Sequence, residues 1–380
     1  MTYLDWAATA PPDPEVLDEQ RRTALSFPGN PSSRHEAGAA ARAALEAART
    51  RLARALRLSA KGVHFVSGGS EADAIPLLAL LRKKNPGSIV VSSIEHAAVY
   101  EQARVLERLG WKLREVPPDP DGRVSPDKVA EAVAPDTALV ACMAVNNETG
   151  ATQPVREIAA AVRLTAKGRI PRFHVDAVQA LGKIELGGDG FGADSLAFSA
   201  HKIGGPRGTG VLWLRSPVEP LQSGGGQEGG IRPGTENLPG DAAFALAAEK
   251  AVAGLQAARE GAEALEDALL EGLKAIPDAT PLPLSRVPRD SRWSPWIVSF
   301  ALPGLAGETA VRALSDSGFA VSTGSACSSA SRERRVLDSM GVDRELSFSA
   351  LRASFGPEST RAELDAFLEA VASIYRRFKA

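Results

Sequence analysis

The chain has 380 residues, with 44 Lys+Arg against 46 Asp+Glu, a net charge of -2 and two cysteines, Cys142 and Cys327. Scattered, balanced charge lacks the basic stripe that nucleic-acid binding needs, and two cysteines cannot build a disulfide framework, which fits a reducing, cytoplasmic setting. No apolar run approaches the roughly 18 residues of a membrane span, the opening MTYLDWAATAPPDP has no basic-then-apolar leader, and the length favours two lobes with a sizeable core.

In chain order, the stretch EAGAAARAALEAARTRLARAL places Ala41, Leu45, Ala48, Leu52 and Leu56 on one helical stripe with arginines opposite. Short apolar runs then recur, VHFVSGG, SIVVSS, TALVACMAVNN, RFHVDA and SLAFSAHK, between helical stretches such as 97–109 and 154–166. Continuous apolar strands separated by helices predict an α/β domain over 13–240, with a mostly parallel sheet covered on both faces. After the glycine cluster SGGGQEGGIRPGTENLPG comes an Ala/Leu/Glu-rich segment predicted as a long linking helix over about 241–275, then the Pro-rich IPDATPLPLSRVPRDSRWSP. Beyond it, WIVSFAL, GFAVST and LSFSALRASF alternate with helical stretches. They predict a smaller α+β domain comprising 241–380 and, with it, residues 1–12.

Ligands of open parallel sheets bind outside the carboxyl ends of the strands, and this chain gathers polar residues at five such ends. Ser67 to Ser70 open a helix whose free N–H groups favour a phosphate. His96 follows the run SIVVSS, and MAVNNETG ends a strand in two amides and Glu148. Asp176 ends RFHVD, with Gln179 on the same face if a helix starts there; a carboxylate so placed requires a cation or hydrogen-bond donors. Ser199, His201 and Lys202 enter a glycine-rich turn, and a lysine at the end of an apolar strand is a candidate for Schiff-base chemistry. One arrangement accounts for all five: Lys202 holds pyridoxal phosphate, Asp176 keeps the pyridine nitrogen protonated, Ser70 with Ser199 and His201 takes the phosphate, His96 stacks on the ring, and Gln179 and Asn147 bond the phenolic oxygen.

YLDWAATAPPDP, GNPSSRHEAG, SGGSE, IEHAAV, NNETG, HVDAVQALGK, SAHKIGGPRGTG, GGGQEGGIRPGT, STGSACSSAS and LRASFG resemble, in order, the motifs of the cysteine desulfurases, fold-type I pyridoxal-phosphate enzymes of aminotransferase class V. The resemblance runs from residue 3 to about 375 and implies a role for each matching position. Lys202 matches the cofactor lysine, Asp176 the partner of the pyridine nitrogen, His96 the stacking histidine and Gln179 the residue at the phenolic oxygen. Gly69, Ser70, Ser199 and His201 match phosphate ligands, and Thr235 a threonine that reaches the neighbouring subunit's phosphate, implying a homodimer. Asn147 and Arg352 match the residues that hold the substrate carboxylate, and Cys327 the persulfide-forming nucleophile.

The implied activity converts L-cysteine to L-alanine and hands sulfur from Cys327 to an acceptor protein, an iron–sulfur scaffold or a thiolation enzyme. Cys142, inside ALVACMAV, is expected as a small buried hydrophobe, whereas Cys327 has no apolar run around it. The chain departs from the family at Ala74 and Gly205, in a loop after Cys327 that is shorter and more basic through Arg332, Arg334 and Arg335, and in its short end IYRRFKA. Three alternatives stand beside this reading: selenocysteine lyase, an inactive sulfur-transfer scaffold, and a metallohydrolase built on His96, His174, Asp176 and His201.

Overall fold

The computed structural model describes residues 1–166, 168–324 and 334–379. Its strands are β1 (Thr2–Tyr3), β2 (Val63–Val66), β3 (Ser88–Ser92), β4 (Lys112–Val116), β5 (Thr137–Ala141), β6 (Arg172–Asp176), β7 (Ser195–Ser199), β8 (Gly210–Leu214), β9 (Thr280–Leu282), β10 (Ile297–Ala301), β11 (Phe319–Ala320) and β12 (Ala350–Ser354). The apolar runs of the sequence become one sheet in the order β2-β8-β7-β6-β5-β3-β4. All its pairings are parallel except those of β8, which runs against both neighbours.

Burial on both faces explains why these runs are apolar throughout. Val90 and Val140 face one core with helices Glu36–Leu56 and Leu238–Ala253, while Ile89, Val91, Leu139 and Ala141 face another with helix Ala97–Arg108. Neighbouring residues therefore alternate between two buried layers, as the pleat requires. The expected stripe of Ala41, Leu45, Ala48, Leu52 and Leu56 lies in the first of these cores.

A separate core forms around the antiparallel sheet β12-β10-β9, where Val298, Phe300, Leu351 and Ala353 pack on helices Leu255–Lys274, Gly307–Asp316 and Arg361–Lys379. Leu4 joins this core, and β1 pairs with β11, so the first residues lie with the last hundred. The segment expected as one helix is two, Leu238–Ala253 and Leu255–Lys274, divided at Gly254, and each packs on a different core. The alternating LSFSALRASF is likewise not all strand: Arg344–Phe348 is helical, and only Ala350–Ser354 pairs, because only there does β10 offer partners. Among the described residues no helix is long and apolar enough to cross a membrane.

The sheet's consecutive connections run outward from β3 to β4 and the other way through β5, β6 and β7. Strand order thus reverses between β3 and β5, and the carboxyl ends beside that point are where an open α/β sheet holds its ligand.

Candidate active site

A cavity of about 720 Å³ opens at these strand ends. Lys202, Asp176, His96, Gln179, Gly69, Ser70, Ser199, His201, Asn147 and Arg352 all line it. Thr235 does not; it is exposed on the segment before helix Leu238–Ala253. Cys327 lies outside the described residues, as does Arg332. Cys142 is buried as expected, on no wall of the cavity.

Asp176 closes β6 and is 5% exposed. Its Oδ1 accepts from the Val178 N–H at 2.9 Å, which fixes the carboxylate. Burial raises its pKa, opposed by His96, the Val178 N–H and Lys202. Gln179 reaches the cavity from a turn rather than from the helix its spacing suggested. Its Nε2 donates to the Ala7 carbonyl at 2.8 Å and its Oε1 accepts from Lys183 Nζ at 2.7 Å.

Lys202 leaves β7 through a single 3-10 turn and donates to the carbonyls of Ala7 at 2.6 Å and Ala8 at 2.7 Å. His96 caps helix Ala97–Arg108: its Nδ1 accepts from the Ala98 N–H at 3.1 Å, leaving Nε2 as the protonated nitrogen of the neutral ring. Burial lowers its pKa; Asp176 opposes this, while Lys202 and Arg335 add to it. His201 touches Thr9 Oγ1 through Nδ1 at 3.1 Å, and burial, then Lys202, brings its pKa down to about 4.

Gly69 begins the helix Gly69–Leu78, where the first turn has N–H groups without intrahelical partners. A Cβ at this position would stand 2.6 Å from Val178 Cγ2, so only glycine allows the helix start to sit this close to the Asp176 turn. Of the two amides, Asn146 is structural, bonding Ile94 O, the N–H groups of Glu148 and Thr149, and Thr149 Oγ1, while Asn147 faces the cavity.

Arg352 sits on β12 and is 3% exposed, so it stands on the cavity side of the sheet and not on a wet face. Its Nη2 pairs with Asp5 Oδ1 at 2.6 Å and its Nη1 donates to the Asn147 carbonyl at 2.7 Å. Buried Nε has no partner among the described residues.

Asp73 escaped the sequence reading, and His174 and Arg335 take places that it did not foresee. His174, fully buried, meets Ser195 Oγ at 2.8 Å and Asp73 Oδ1 at 3.1 Å. Burial drives its pKa down to about 3, and burial with Asp176 and Glu95 pushes the Asp73 carboxyl well above the usual range. Of this buried pair Asp73 is held further toward its protonated form, while His96, the Val178 N–H and Lys202 favour the charged form of Asp176. With both His174 nitrogens occupied, the metallohydrolase set does not assemble, and no group of three metal-capable side chains stands together among the described residues. Arg335 donates to the Ser93 and Glu95 carbonyls and lies 4.0 Å from the Tyr100 ring centroid, so this arginine reaches the cavity wall beside His96.

Residues 2–367 match the family model described as aminotransferase class-V. The chain is 36% identical over 382 residues to cysteine desulfurase IscS of Clostridium botulinum, covering 99% of this chain and 94% of that one. It is 37% identical over 388 residues to a NifS/IcsS protein homolog of Lactobacillus delbrueckii subsp. bulgaricus, covering 100% and 98%. A solved NifS-like protein superposes with a TM-score of 0.90 at 36% identity, covering 99% of both chains.

Proposed function

The chain belongs to aminotransferase class V and, within it, to the cysteine desulfurases, and we propose that it converts L-cysteine to L-alanine in the described cavity with pyridoxal phosphate as cofactor and Cys327 as sulfur acceptor. The observation that carries this reading is the convergence of Lys202, Asp176, His96 and Arg352, from separate strand ends, on one cavity.

The residues present fit the cofactor. A buried carboxylate fixed by a backbone N–H, an amine within the same cavity and a helix start kept open by Gly69 match a protonated pyridine nitrogen, an aldehyde and a phosphate. Pyridoxal phosphate, when bound, supplies a ring that accepts the electron pair left at the substrate Cα. Lys202 would hold it, Asp176 would keep its nitrogen protonated, Gly69, Ser70, Ser199 and His201 would take the phosphate, and Gln179 the phenolic oxygen. Arg352, on the cavity wall beside Asn147, receives the substrate carboxylate, a directional contact that guanidinium makes well. Lys202 Nζ and His96 Nε2 move the Cα proton. The Cys327 thiolate attacks the substrate sulfur: an S–S bond forms, the Cβ–S bond breaks with its electron pair going to Cβ, and a proton taken up there completes alanine.

The two cores support a large domain and a small one that takes in residues 1–12, but helix Leu238–Ala253 packs on the large core, which moves the expected boundary from 240 to Gly254. Thr235, exposed and away from its own cavity, fits a residue that completes the site of a second subunit in a homodimer. The sulfur's onward acceptor is an iron–sulfur scaffold or a thiolation enzyme in the cytoplasm.

Mass spectrometry after exposure of the cofactor-loaded protein to L-cysteine tests the reading. The wild type gains the mass of one sulfur atom, mapped to Cys327, and releases alanine; Cys327→Ala gains none. Alanine release with no mass gain in the wild type would move the acceptor elsewhere.

A further inference from the structure

The turn after β6 carries a second lysine that this mechanism leaves without a task. Lys183 is 7% exposed, and its Nζ donates to Gln179 Oε1 at 2.7 Å. Gln179 Nε2 donates to the Ala7 carbonyl at 2.8 Å, and the same carbonyl accepts from Lys202 Nζ at 2.6 Å. These contacts join into one chain of hydrogen bonds from Lys183 to Lys202. Gly182 holds the turn in place: its φ of +70° and a Cβ position 2.7 Å from Ala251 Cβ admit no side chain, so the turn lies tight on helix Leu238–Ala253.

A glutamine amide can be turned over, exchanging its donor and acceptor ends, and only its partners decide which way it points. An ammonium donates and cannot accept. Facing Lys183, the amide must offer its oxygen, so its NH2 group points to Ala7 and the cavity. One N–H goes to Ala7 and the other remains for the cavity that Gln179 lines. Reversed, the amide would set its oxygen against the Ala7 carbonyl and present a lone pair to whatever oxygen approached from the cavity.

We infer that Lys183 is a positioning residue that locks the Gln179 amide with its N–H toward the cavity, where it donates to the phenolic oxygen of the cofactor. The inference rests on the functional reading above and adds to it the group that fixes the direction of this hydrogen bond. Burial, and after it the facing charges of Lys202 and Arg352, bring the Lys183 pKa down to about 7, and Lys183 in turn helps to lower that of His201. Losing that proton gives the amine a lone pair that can accept, so the lock is strict only while Lys183 is an ammonium and loosens as it titrates.

The test is a pH titration of the absorbance of the bound cofactor, which reads its protonation rather than turnover. Losing a hydrogen bond to the deprotonated phenolic oxygen and a nearby positive charge both favour the protonated form, so Lys183→Met moves the transition upward by about one pH unit. Gln179→Leu moves it in the same direction, the double variant exceeds Gln179→Leu by less than the full Lys183→Met shift, the excess being the share of the lost charge, and Lys183→Arg keeps the wild-type titration. Lys183→Met titrating as wild type, or adding its full shift to that of Gln179→Leu, overturns the inference. Should Lys183→Met fail to fold, Lys183→Gln takes its place beside Gln179→Leu: a shift that is smaller in the Gln179→Leu background than in the wild type supports the lock, and the same shift in both backgrounds overturns it. A wild-type protein that binds pyridoxal phosphate without any titrating chromophore would count against the functional reading instead.

Discussion

Two buried arginines, one behind the active site and one within it, differ in how completely their donors are used. Arg286 gives Nε and Nη2 to Glu266, Nη1 to the carbonyls of Thr149 and Ile297, and Nη2 also to Ser294 O, so each of its N–H groups has a partner. Through Thr149 it ties helix Leu255–Lys274 and the small core to the loop that carries Asn147. Arg352 bonds Asp5 and Asn147 but keeps a buried Nε without a partner among the described residues. Complete pairing fixes structure; a buried donor left over, on a cavity wall, is the mark of binding.

Arg286→Ala is the strongest test of that contrast. It leaves the Glu266 carboxylate, 2% exposed, without its cation, and breaking such a pair costs about 3–5 kcal/mol. Urea unfolding should show that loss, and replacing Glu266 by Leu together with Arg286→Met should recover much of it, because two well-packed apolar side chains carry no uncompensated charge. Arg352→Lys sharpens the other side. A single ammonium cannot serve Asp5, Asn147 and a substrate carboxylate together, and a fall in kcat/KM for L-cysteine of about 30-fold, roughly 2 kcal/mol, is expected. Its unfolding midpoint should move far less than that of Arg286→Ala, since Asp5 is 21% exposed and keeps water as a partner. Equal stability losses in the two variants, with kcat/KM unmoved in Arg352→Lys, would erase the distinction.

Much of the fold and the site was legible because burial on two faces demands unbroken apolar runs, and polar residues ending such runs have little to do except meet a ligand. His96, Asp176, Ser199 and Lys202 stand out for this reason. Lys183 was hidden by its surroundings: a lysine after VDAVQALG has the same spacing whether it points to water or inward, and only the tight contact of Gly182 with Ala251 decides. Asp5 and the carbonyls of Ala7 and Ala8 come from the far end of the chain, brought in by the pairing of β1 with β11. The break at Gly254 was equally invisible, since the helix propensity of 241–275 is continuous while the two cores it serves are not.

Asp73 extends the same rule to acids and has the smallest expected effect. It shares the cavity floor with Asp176, but its Oδ1 is engaged by His174, whose other nitrogen meets Ser195. A protonated Asp73 donates to His174 Nε2, and the amide of Asp73→Asn can make the same bond without charge. Because burial raises the folded-state pKa of Asp73 well above its ordinary value, the folded protein holds a proton that the unfolded chain releases above about pH 4. That difference makes the wild type lose stability as pH rises from there toward the folded pKa, and the asparagine variant lacks this loss. The variant should match the wild type to about 0.5 kcal/mol near pH 4, gain on it steadily toward neutral pH, and keep kcat within about threefold. Thermal unfolding across that range is the measurement; a variant that instead falls behind as pH rises would place a stabilising negative charge on Asp73, and Asp176 would no longer be singled out as the anion of the pair.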